Sequence, residues 1–242
     1  MKAIILAAGR GSRMKVLTNG KPKCLLNING SSLLELQIKA IQAAGIKDIG
    51  IVTGYRRESL TRSDLLEFHN KDWESTQMVY SLNHASDWLE SDDCIVSYSD
   101  IFYETEAISK LVSSDADISI TYDPNWQKLW SERFDDPLSD AETFEIDSNS
   151  FLKSIGKKPK TISEIEGQYM GLIKFTPSGW SRTNALLSDL SILEIKKIDM
   201  TSLLQLLINN AHSKILALPY TGTWGEVDFE FDLYIYNNRD NA

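Results

Sequence analysis

A short apolar segment, Lys2–Ala8 (KAIILAA), is followed at once by a loop rich in glycine and basic residues, and this pair most constrains the fold. An isoleucine-containing run of this length predicts a buried parallel strand, since such strands are covered on both faces. The loop after it, GRGSRMKVLTNGKPK, contains many turn-forming residues. Because backbone N–H groups of a glycine-rich turn can approach phosphate oxygens closely, the segment predicts an anion site at the end of the first strand.

Charge is distributed unevenly along the 242 residues. The chain has 25 Lys and Arg against 34 Asp and Glu, so its formal charge is 25 − 34 = −9. Six cations precede the first acid, Glu35, and the rest of the chain therefore carries 19 − 34 = −15. A basic segment on an acidic body favours a small, highly charged anionic ligand and disfavours nucleic acid. A solvated basic face is the alternative, but the interleaved glycines and proline favour a loop around a ligand.

Membrane insertion and secretion are not expected. No apolar run approaches the ~20 residues that a membrane span needs. The apolar stretch Ala3–Ala8 is shorter than the ~7–15 residues of a signal-peptide core, and Arg10 follows closely. Cys24 and Cys94 match neither a metal-ligand spacing nor a disulfide framework. We therefore expect a cytoplasmic protein.

The order of the predicted elements indicates an α/β fold. Strands alternate with helices, beginning with a capped helix over Ser32–Ala44 and a second strand, KDIGIVTG. Further strands are predicted in CIVSYSD, ADISITYD, GQYMGLIKF and KILALPY, with a hairpin in FEID and FLKSIG and a loop over Pro124–Asp140. We predict one domain, 1–242: a doubly wound, Rossmann-like mixed sheet with a small β insertion. Its NTP-binding part would span about 1–123 and its acceptor and metal part about 124–242.

Two common phosphate-loop patterns do not fit the first loop. The dinucleotide pattern G-x-G-x-x-G begins with Gly9 and Gly11 but has Met14 in place of the third glycine. The second strand ends in Gly54–Tyr55 and offers no acid for a ribose. The P-loop pattern G-x-x-x-x-G-K-[ST] does not occur in the sequence.

The loop instead reads L-A-A-G-R-G-S-R-M over Leu6–Met14 and closes on Pro22–Lys23. In this it resembles the sugar-nucleotide-type nucleotidyltransferases, whose motif is L-[AG]-[AG]-G-x-G-[ST]-R-[LM]-x(n)-P-K. Asp100, at the end of CIVSYSD, and Asp228, in WGEVDFEFD, match the two acids that hold Mg²⁺ in that superfamily. The small size and the STQMVYSL segment look most like bacterial choline-phosphate cytidylyltransferases and relatives that act on small phosphates or phosphonates.

The resemblance implies a Mg²⁺-dependent cytidylyltransferase with CTP and a small anionic acceptor as its partners. Arg13, Lys23, Asp100 and Asp228 would be catalytic, with the two aspartates as metal ligands. The implied nucleotide-binding residues are Leu6, Ala7, Ala8, Gly9, Gly11, Ser12, Arg13, Lys23, Gln77, Ser81 and Leu82. The acids of GEVDFEFD alternate like the exposed face of a strand, so a neighbour two positions away could replace Asp228 as the ligand.

The acceptor side is less constrained. Candidate contacts are Trp130, Arg133, Lys157, Tyr169 and Glu226. Aromatic side chains suit the quaternary ammonium of a choline, whereas a cationic Arg133 in such a cage would repel it. A uridylyl- or thymidylyltransferase acting on a sugar 1-phosphate is the first alternative, and a non-catalytic nucleotide-binding domain the second. The sequence leaves open whether the chain forms a homodimer.

Overall fold

The structure is a computed structural model and describes residues 1–209 and 213–238. Its strands are β1 (Lys2–Ala7), β2 (Asn27–Ile28), β3 (Ser31–Ser32), β4 (Ile49–Thr53), β5 (Leu66–His69), β6 (Cys94–Tyr98), β7 (Ile101–Tyr103), β8 (Ile118–Asp123), β9 (Phe144–Ile146), β10 (Leu152–Ile155), β11 (Gln168–Phe175), β12 (Leu216–Pro219) and β13 (Trp224–Glu226). Its α-helices are α1 (Leu33–Ala43), α2 (Met78–Leu82), α3 (Ser86–Ser91), α4 (Thr105–Val112), α5 (Trp126–Arg133), α6 (Pro177–Ser188), α7 (Ile192–Ile195), α8 (Met200–Asn209) and α9 (Glu230–Asn238).

Seven strands form the central sheet, in the order β12-β8-β11-β6-β1-β4-β5. β1 is parallel to both of its neighbours, β4 and β6, whereas β11 is antiparallel to β6 and β8. The predicted mixed α/β sheet is therefore confirmed. Because β4 and β6 flank β1 on opposite sides, the connections diverge at the carboxyl end of β1, where open α/β sheets bind their ligands.

The two faces of β1 contribute side chains to two different hydrophobic cores. Ala3, Ile5 and Ala7 pack in the core that contains α1 and α4. Ile4 and Leu6 pack in the other core, with residues of α6 and α8. This alternation follows from the two-residue period of a strand, and it explains why the segment is apolar throughout rather than alternately polar.

Most of the predicted elements near the site are present. Ser32 caps α1 and accepts a hydrogen bond from the Glu35 backbone N–H, while the Glu35 side chain accepts one from the Ser32 backbone N–H. This reciprocal capping box starts the helix where the sequence predicted it. The predicted hairpin is the antiparallel pair β9–β10. The segment MTSLLQLLINN predicts a helix over residues 200–210, capped by Asp199. Helix α8 is described to Asn209, and residue 210 lies outside the described residues.

The predicted loop over Pro124–Asp140 is wrong, because it contains α5. Asn125 stands at the N-cap position, and the buried side chains of Trp126, Leu129, Trp130 and Arg133 have helical spacing. The acidic segment after Glu226 also differs from a continuous strand, since α9 begins at Glu230. Within residues 1–209 and 213–238, no helix is both long and apolar enough to cross a membrane.

Candidate active site

In the glycine-rich loop after β1, the side chain of Lys23 packs against the backbone of Gly11. Gly11 has a φ of +68°, in the left-handed region that favours glycine. A Cβ at this position would lie 2.9 Å from Cδ of Lys23. Thr18 Oγ1 donates a hydrogen bond to the Gly11 carbonyl at 3.1 Å. Glycine is therefore required at position 11 both for the backbone conformation and for the passage of the Lys23 side chain.

Lys23 ends among carboxylates. Its side chain is buried, and Nζ donates to Asp100 Oδ2 at 2.9 Å and to Asp228 Oδ1 at 2.6 Å. Burial lowers the pKa of Lys23, but the charges of Asp100 and Asp228 more than compensate, so the pKa lies above its usual value. The lysine is therefore a permanent cation at the point where the first loop meets the two aspartates.

The two aspartates, far apart in sequence, are joined by a short ladder. Asp100 follows β6 and precedes β7, which pairs antiparallel with β13 so that Ile101 lies opposite Glu226. The Val227 backbone N–H donates to the Asp100 carbonyl at 2.9 Å. This pairing places the acids of the C-terminal segment beside Asp100.

Three carboxylates, those of Asp100, Glu226 and Asp228, bring one oxygen each within 4.8 Å of one another. Asp100 Oδ1 is buried and has no hydrogen-bond partner among the described residues. Burial and the charge of Asp228 raise the pKa of Glu226 to about 8. Burial also raises the pKa of Asp228, but Lys23 and Arg13 outweigh it and the pKa is lowered. A spare carboxylate oxygen among crowded acids suits a hard divalent cation, which prefers oxygen ligands.

Arg13 stands at the entrance to this cluster. Its side chain is 57% exposed, and Nη1 lies 3.1 Å from Asp228 Oδ2. The guanidinium also lies over the ring of Phe229, 5.7 Å from its centroid. An exposed, fork-shaped cation at this position can turn toward phosphate oxygens with little loss of buried contact.

A cavity of about 250 Å³ opens between the loop and α2. It is lined by nine of the predicted nucleotide residues: Leu6, Ala8, Gly9, Gly11, Ser12, Arg13, Lys23, Gln77 and Ser81. Ala7 and Leu82 are instead buried in the two hydrophobic cores. The lining also includes Trp73 and Tyr98, aromatic residues that the sequence motif did not mark. All of the lining residues come before position 101.

A second cavity, of about 270 Å³, adjoins the first. Arg13 and Asp100 line both cavities. Asp228 lines the second, as do Trp130, Tyr169 and Glu226, three of the candidate acceptor contacts. Lys157 is exposed beyond the β9–β10 hairpin and is not part of the lining.

Arg133 has a different position from the one expected. Its side chain has no exposed surface, and its guanidinium forms ion pairs with Asp232 at 2.9 Å and with Glu226 at 3.2 Å. Arg133 therefore lies behind the carboxylates instead of contacting an acceptor. Because its charge is balanced there, the expected repulsion of a cationic acceptor does not follow from this residue. Asp232, its main partner, was considered in the sequence only as a neighbour in an alternating acidic run.

Three further acids line the second cavity: Asp140, Glu142 and Asp199. None of them forms an ion pair within 4.0 Å with another described residue. Burial, with the charges of Asp199 and Asp140, raises the pKa of Glu142 to about 7. Sequence reasoning missed these three acids because Asp140 and Glu142 lie in one loop, Asp199 lies in another, and none of them belongs to a motif.

Comparison with known proteins decides the family. The model of the MobA-like NTP transferase domain matches residues 3–141, more than half of the chain. The chain belongs to this family. The resemblance seen in the Leu6–Lys23 motif is thereby confirmed, and the expected class of enzyme, a nucleotidyltransferase, is confirmed with it.

Several relatives of this MobA-like NTP transferase domain protein are cytidylyltransferases. The chain is 37% identical over 251 residues to the CTP:phosphoglutamine cytidylyltransferase of Campylobacter jejuni, which covers 97% of this chain and 98% of the relative. It is also 37% identical over 105 residues to the choline-phosphate cytidylyltransferase of Haemophilus influenzae, covering 42% and 44%. The solved structure of the CTP:phosphocholine cytidylyltransferase from Streptococcus pneumoniae has the same fold, with a TM-score of 0.74 at 18% identity over 98% and 97% of the two chains.

Proposed function

We propose that this protein is a Mg²⁺-dependent cytidylyltransferase that joins the CMP unit of CTP to a small phosphate or phosphonate monoester. The observation that carries the proposal is the meeting of Lys23 with Asp100 and Asp228 between the two cavities. One cavity offers the motif residues for a nucleotide, and the adjoining cavity is lined by all three carboxylates, with Asp100 common to both. Such an arrangement suits two anionic reactants that must meet at one point.

The reaction proposed is a displacement at phosphorus. An acceptor oxygen forms a bond to the α-phosphorus of CTP while the bond to pyrophosphate breaks, and the charge of the nucleophile passes to the leaving pyrophosphate. Because the acceptor oxygen is already anionic, no general base is needed. The enzyme must instead hold two anions close together and neutralise the charge that builds on the leaving group.

The protein's own residues divide this work. Backbone N–H groups near Gly11 and Ser12, together with the exposed fork of Arg13, would bind the triphosphate. Lys23 would neutralise charge close to the α-phosphate. Asp100, Glu226 and Asp228 would hold Mg²⁺, which when bound supplies a hard positive charge to phosphate oxygens. In this proposal Glu226 has moved from the acceptor contacts to the metal ligands.

The second cavity supports an acceptor with an ammonium group opposite its phosphate. Among the described residues that line it, Arg13 is the only basic one. Glu142 and Asp199 offer carboxylates in the same lining, and the rings of Trp130 and Tyr169 line the same space. Carboxylates and aromatic faces both attract an ammonium group, whereas a neutral polyol would leave the acids without a partner.

Pyrophosphate release tests the proposal. CTP, UTP, dTTP, GTP and ATP are each combined, with and without Mg²⁺, with phosphoethanolamine, phosphocholine, phosphoglutamine, 2-aminoethylphosphonate, glycerol phosphate and glucose 1-phosphate. We expect Mg²⁺-dependent release with CTP and the nitrogen-containing acceptors. Release with UTP or dTTP and glucose 1-phosphate would instead identify the sugar nucleotidylyltransferase alternative. Nucleotide binding without release under any condition would favour the non-catalytic alternative.

Matched variants connect this activity to the cluster. Asp228→Asn removes one carboxylate of the cluster, and we expect it to abolish release while the protein stays folded. Asp117→Asn changes an aspartate paired with Arg182 at 2.7 Å on the surface, outside both cavities. It should leave release unchanged. Equal activity of the two variants would contradict the proposed metal site.

A further inference from the structure

A buried ion pair lies directly behind the carboxylate cluster. Arg133 Nε donates to Asp232 Oδ1 at 2.9 Å, and Nη2 donates to Asp232 Oδ2 at 3.3 Å. The Arg133 side chain has no exposed surface, and that of Asp232 is only 2% exposed. Burying two charges away from water is costly unless both are well paired. A pair buried this completely at the edge of a polar site therefore calls for a specific role.

Each member of the pair holds a different part of the cluster. The remaining nitrogen of the guanidinium, Nη1, donates to Glu226 Oε2 at 3.2 Å. Asp232 Oδ2 accepts hydrogen bonds from the backbone N–H groups of Asp228, at 2.7 Å, and of Phe229, at 2.8 Å. The arginine thus orients one carboxylate side chain, and the aspartate fixes the backbone turn that carries another.

Helix α9 explains why the aspartate can reach this turn. The helix begins at Glu230, so Asp232 stands in its first turn and its carboxylate points back to the N–H groups before the helix. A carboxylate at this position satisfies donors that have no partner within the helix. The start of α9 therefore holds the turn between Glu226 and Asp232 through these two hydrogen bonds.

The charges show what the aspartate contributes. Nη2 of Arg133 lies 3.9 Å from Asp228 Oδ2 as well as close to Asp232. Asp232 offsets the charge of the guanidinium, which leaves Glu226 and Asp228 available to a cation on their other side. Without it, Arg133 would be drawn toward both of these carboxylates and would compete with a metal for them.

We propose that Arg133 and Asp232 are positioning residues for the metal carboxylates Glu226 and Asp228, acting from behind without touching substrate. The inference rests on the proposed function, because it assigns these two residues to the site of the bound metal. Residues that orient metal ligands in this way typically change metal affinity or activity by about 10- to 100-fold when replaced.

The test measures metal affinity directly. Mn²⁺ binding is followed by electron paramagnetic resonance with and without a non-hydrolysable CTP analogue, and unfolding is followed by circular dichroism. We expect Asp232→Asn to weaken Mn²⁺ binding by about tenfold or more, while binding of the analogue without metal stays unchanged. Arg133→Lys keeps the charge but loses the planar fork, so we expect a loss in the same direction and partial recovery of turnover at high metal concentration.

A surface pair provides the matched controls. Asp117→Asn and Arg182→Lys make the same two exchanges in the partly exposed Arg182–Asp117 pair. Neither should change Mn²⁺ affinity. If Asp232→Asn does not fold, Arg133→Lys decides the question.

The outcomes separate this inference from the proposed function. Wild-type protein that binds no Mn²⁺, with or without nucleotide analogue, and releases no pyrophosphate would overturn the proposed function itself. Wild-type protein that binds Mn²⁺ and turns over, with folded Arg133 and Asp232 variants of unchanged metal affinity, would overturn only the positioning role.

Discussion

Replacing Lys23 with methionine should destabilise the metal-free protein and make it respond more strongly to Mg²⁺. The substitution keeps most of the side-chain stem but removes an ammonium that lies 2.9 Å from Asp100 and 2.6 Å from Asp228. The carboxylates of Asp100, Glu226 and Asp228 would then face one another without that charge. A divalent cation could enter without first displacing the lysine.

The structure indicates the size of the effect. Removing one partner of a buried ion pair typically costs about 3–5 kcal/mol. We expect the lower part of this range, because Arg13 and Arg133 stay close to Asp228 and the Asp100 side chain is 20% exposed. At about 2–4 °C per kcal/mol for a chain of this length, a loss of about 3 kcal/mol lowers Tm by about 6–12 °C.

Thermal unfolding with and without Mg²⁺ is the assay, and Lys196→Met is the control. Lys196 forms a solvent-screened ion pair with Asp72 at 2.9 Å, and pairs of this kind contribute little to stability. Saturating Mg²⁺ should raise the Tm of Lys23→Met by more than it raises that of wild type. Two results would refute the reasoning: a metal-free Tm equal to that of the Lys196 variant, or the same Mg²⁺ shift in both proteins.

Three further predictions concern single residues. Asp100→Asn should lose pyrophosphate release by several orders of magnitude with an unchanged circular dichroism spectrum, because it removes a metal carboxylate and not a core side chain. Gly11→Ala should lower the free energy of unfolding by about 1–2 kcal/mol, because alanine is strained at a positive φ. It should also lose most of its turnover, because the new Cβ would meet the Lys23 side chain. The control is Gly30→Ala, which has a φ of +84° and open space around it, and it should lose stability without losing turnover. Glu142→Gln should reduce the change with pH of both the free energy of unfolding and the KM for the acceptor.

The signs for Glu142 follow from its raised pKa. The folded protein holds the Glu142 proton more tightly than the unfolded chain, so the contribution of Glu142 to stability is greatest below about pH 4.5 and is lost as pH rises to about 7, by at most about 3 kcal/mol. Ionised Glu142 should attract an ammonium acceptor, so the acceptor KM should fall as pH rises through 7 and the glutamine variant should lose this component. An unchanged pH profile of the acceptor KM in Glu142→Gln would show that this residue does not act in the acceptor site. Near-normal activity of Asp100→Asn would contradict its role as a metal ligand. Equal turnover of Gly11→Ala and Gly30→Ala would contradict the predicted contact with Lys23.

The loop residues that line the first cavity could be predicted from the sequence because they are contiguous. The segment from Leu6 to Lys23 combines a buried strand, a turn that requires glycine and a basic residue after proline, and all three features are local. Their placement around one cavity follows from the position of β1 in the middle of the sheet. Asp100 and Asp228 are far apart in sequence, and they were identified only through the resemblance, as acids that follow the strands β6 and β13.

The acceptor side was harder because its chemistry depends on partners distant in sequence. Arg133 reads as a free cation beside Trp130, and only the fold shows that Asp232 and Glu226 neutralise it. Helix α5 was missed for a related reason: its acidic and aromatic residues suggest a loop until one sees that Trp126, Leu129 and Trp130 face one core. Local composition cannot reveal which surface a distant segment will cover.

The pairing of β7 with β13 also sets the order in which the site is completed during synthesis. Every residue that lines the nucleotide cavity has been made once the ribosome passes position 100. Glu226 and Asp228 are added much later, when β13 can pair with β7. In the proposed metal site, a nascent chain therefore has only the carboxylate of Asp100 until residue 228 has been made, and catalytic competence would await the pairing of β13 with β7.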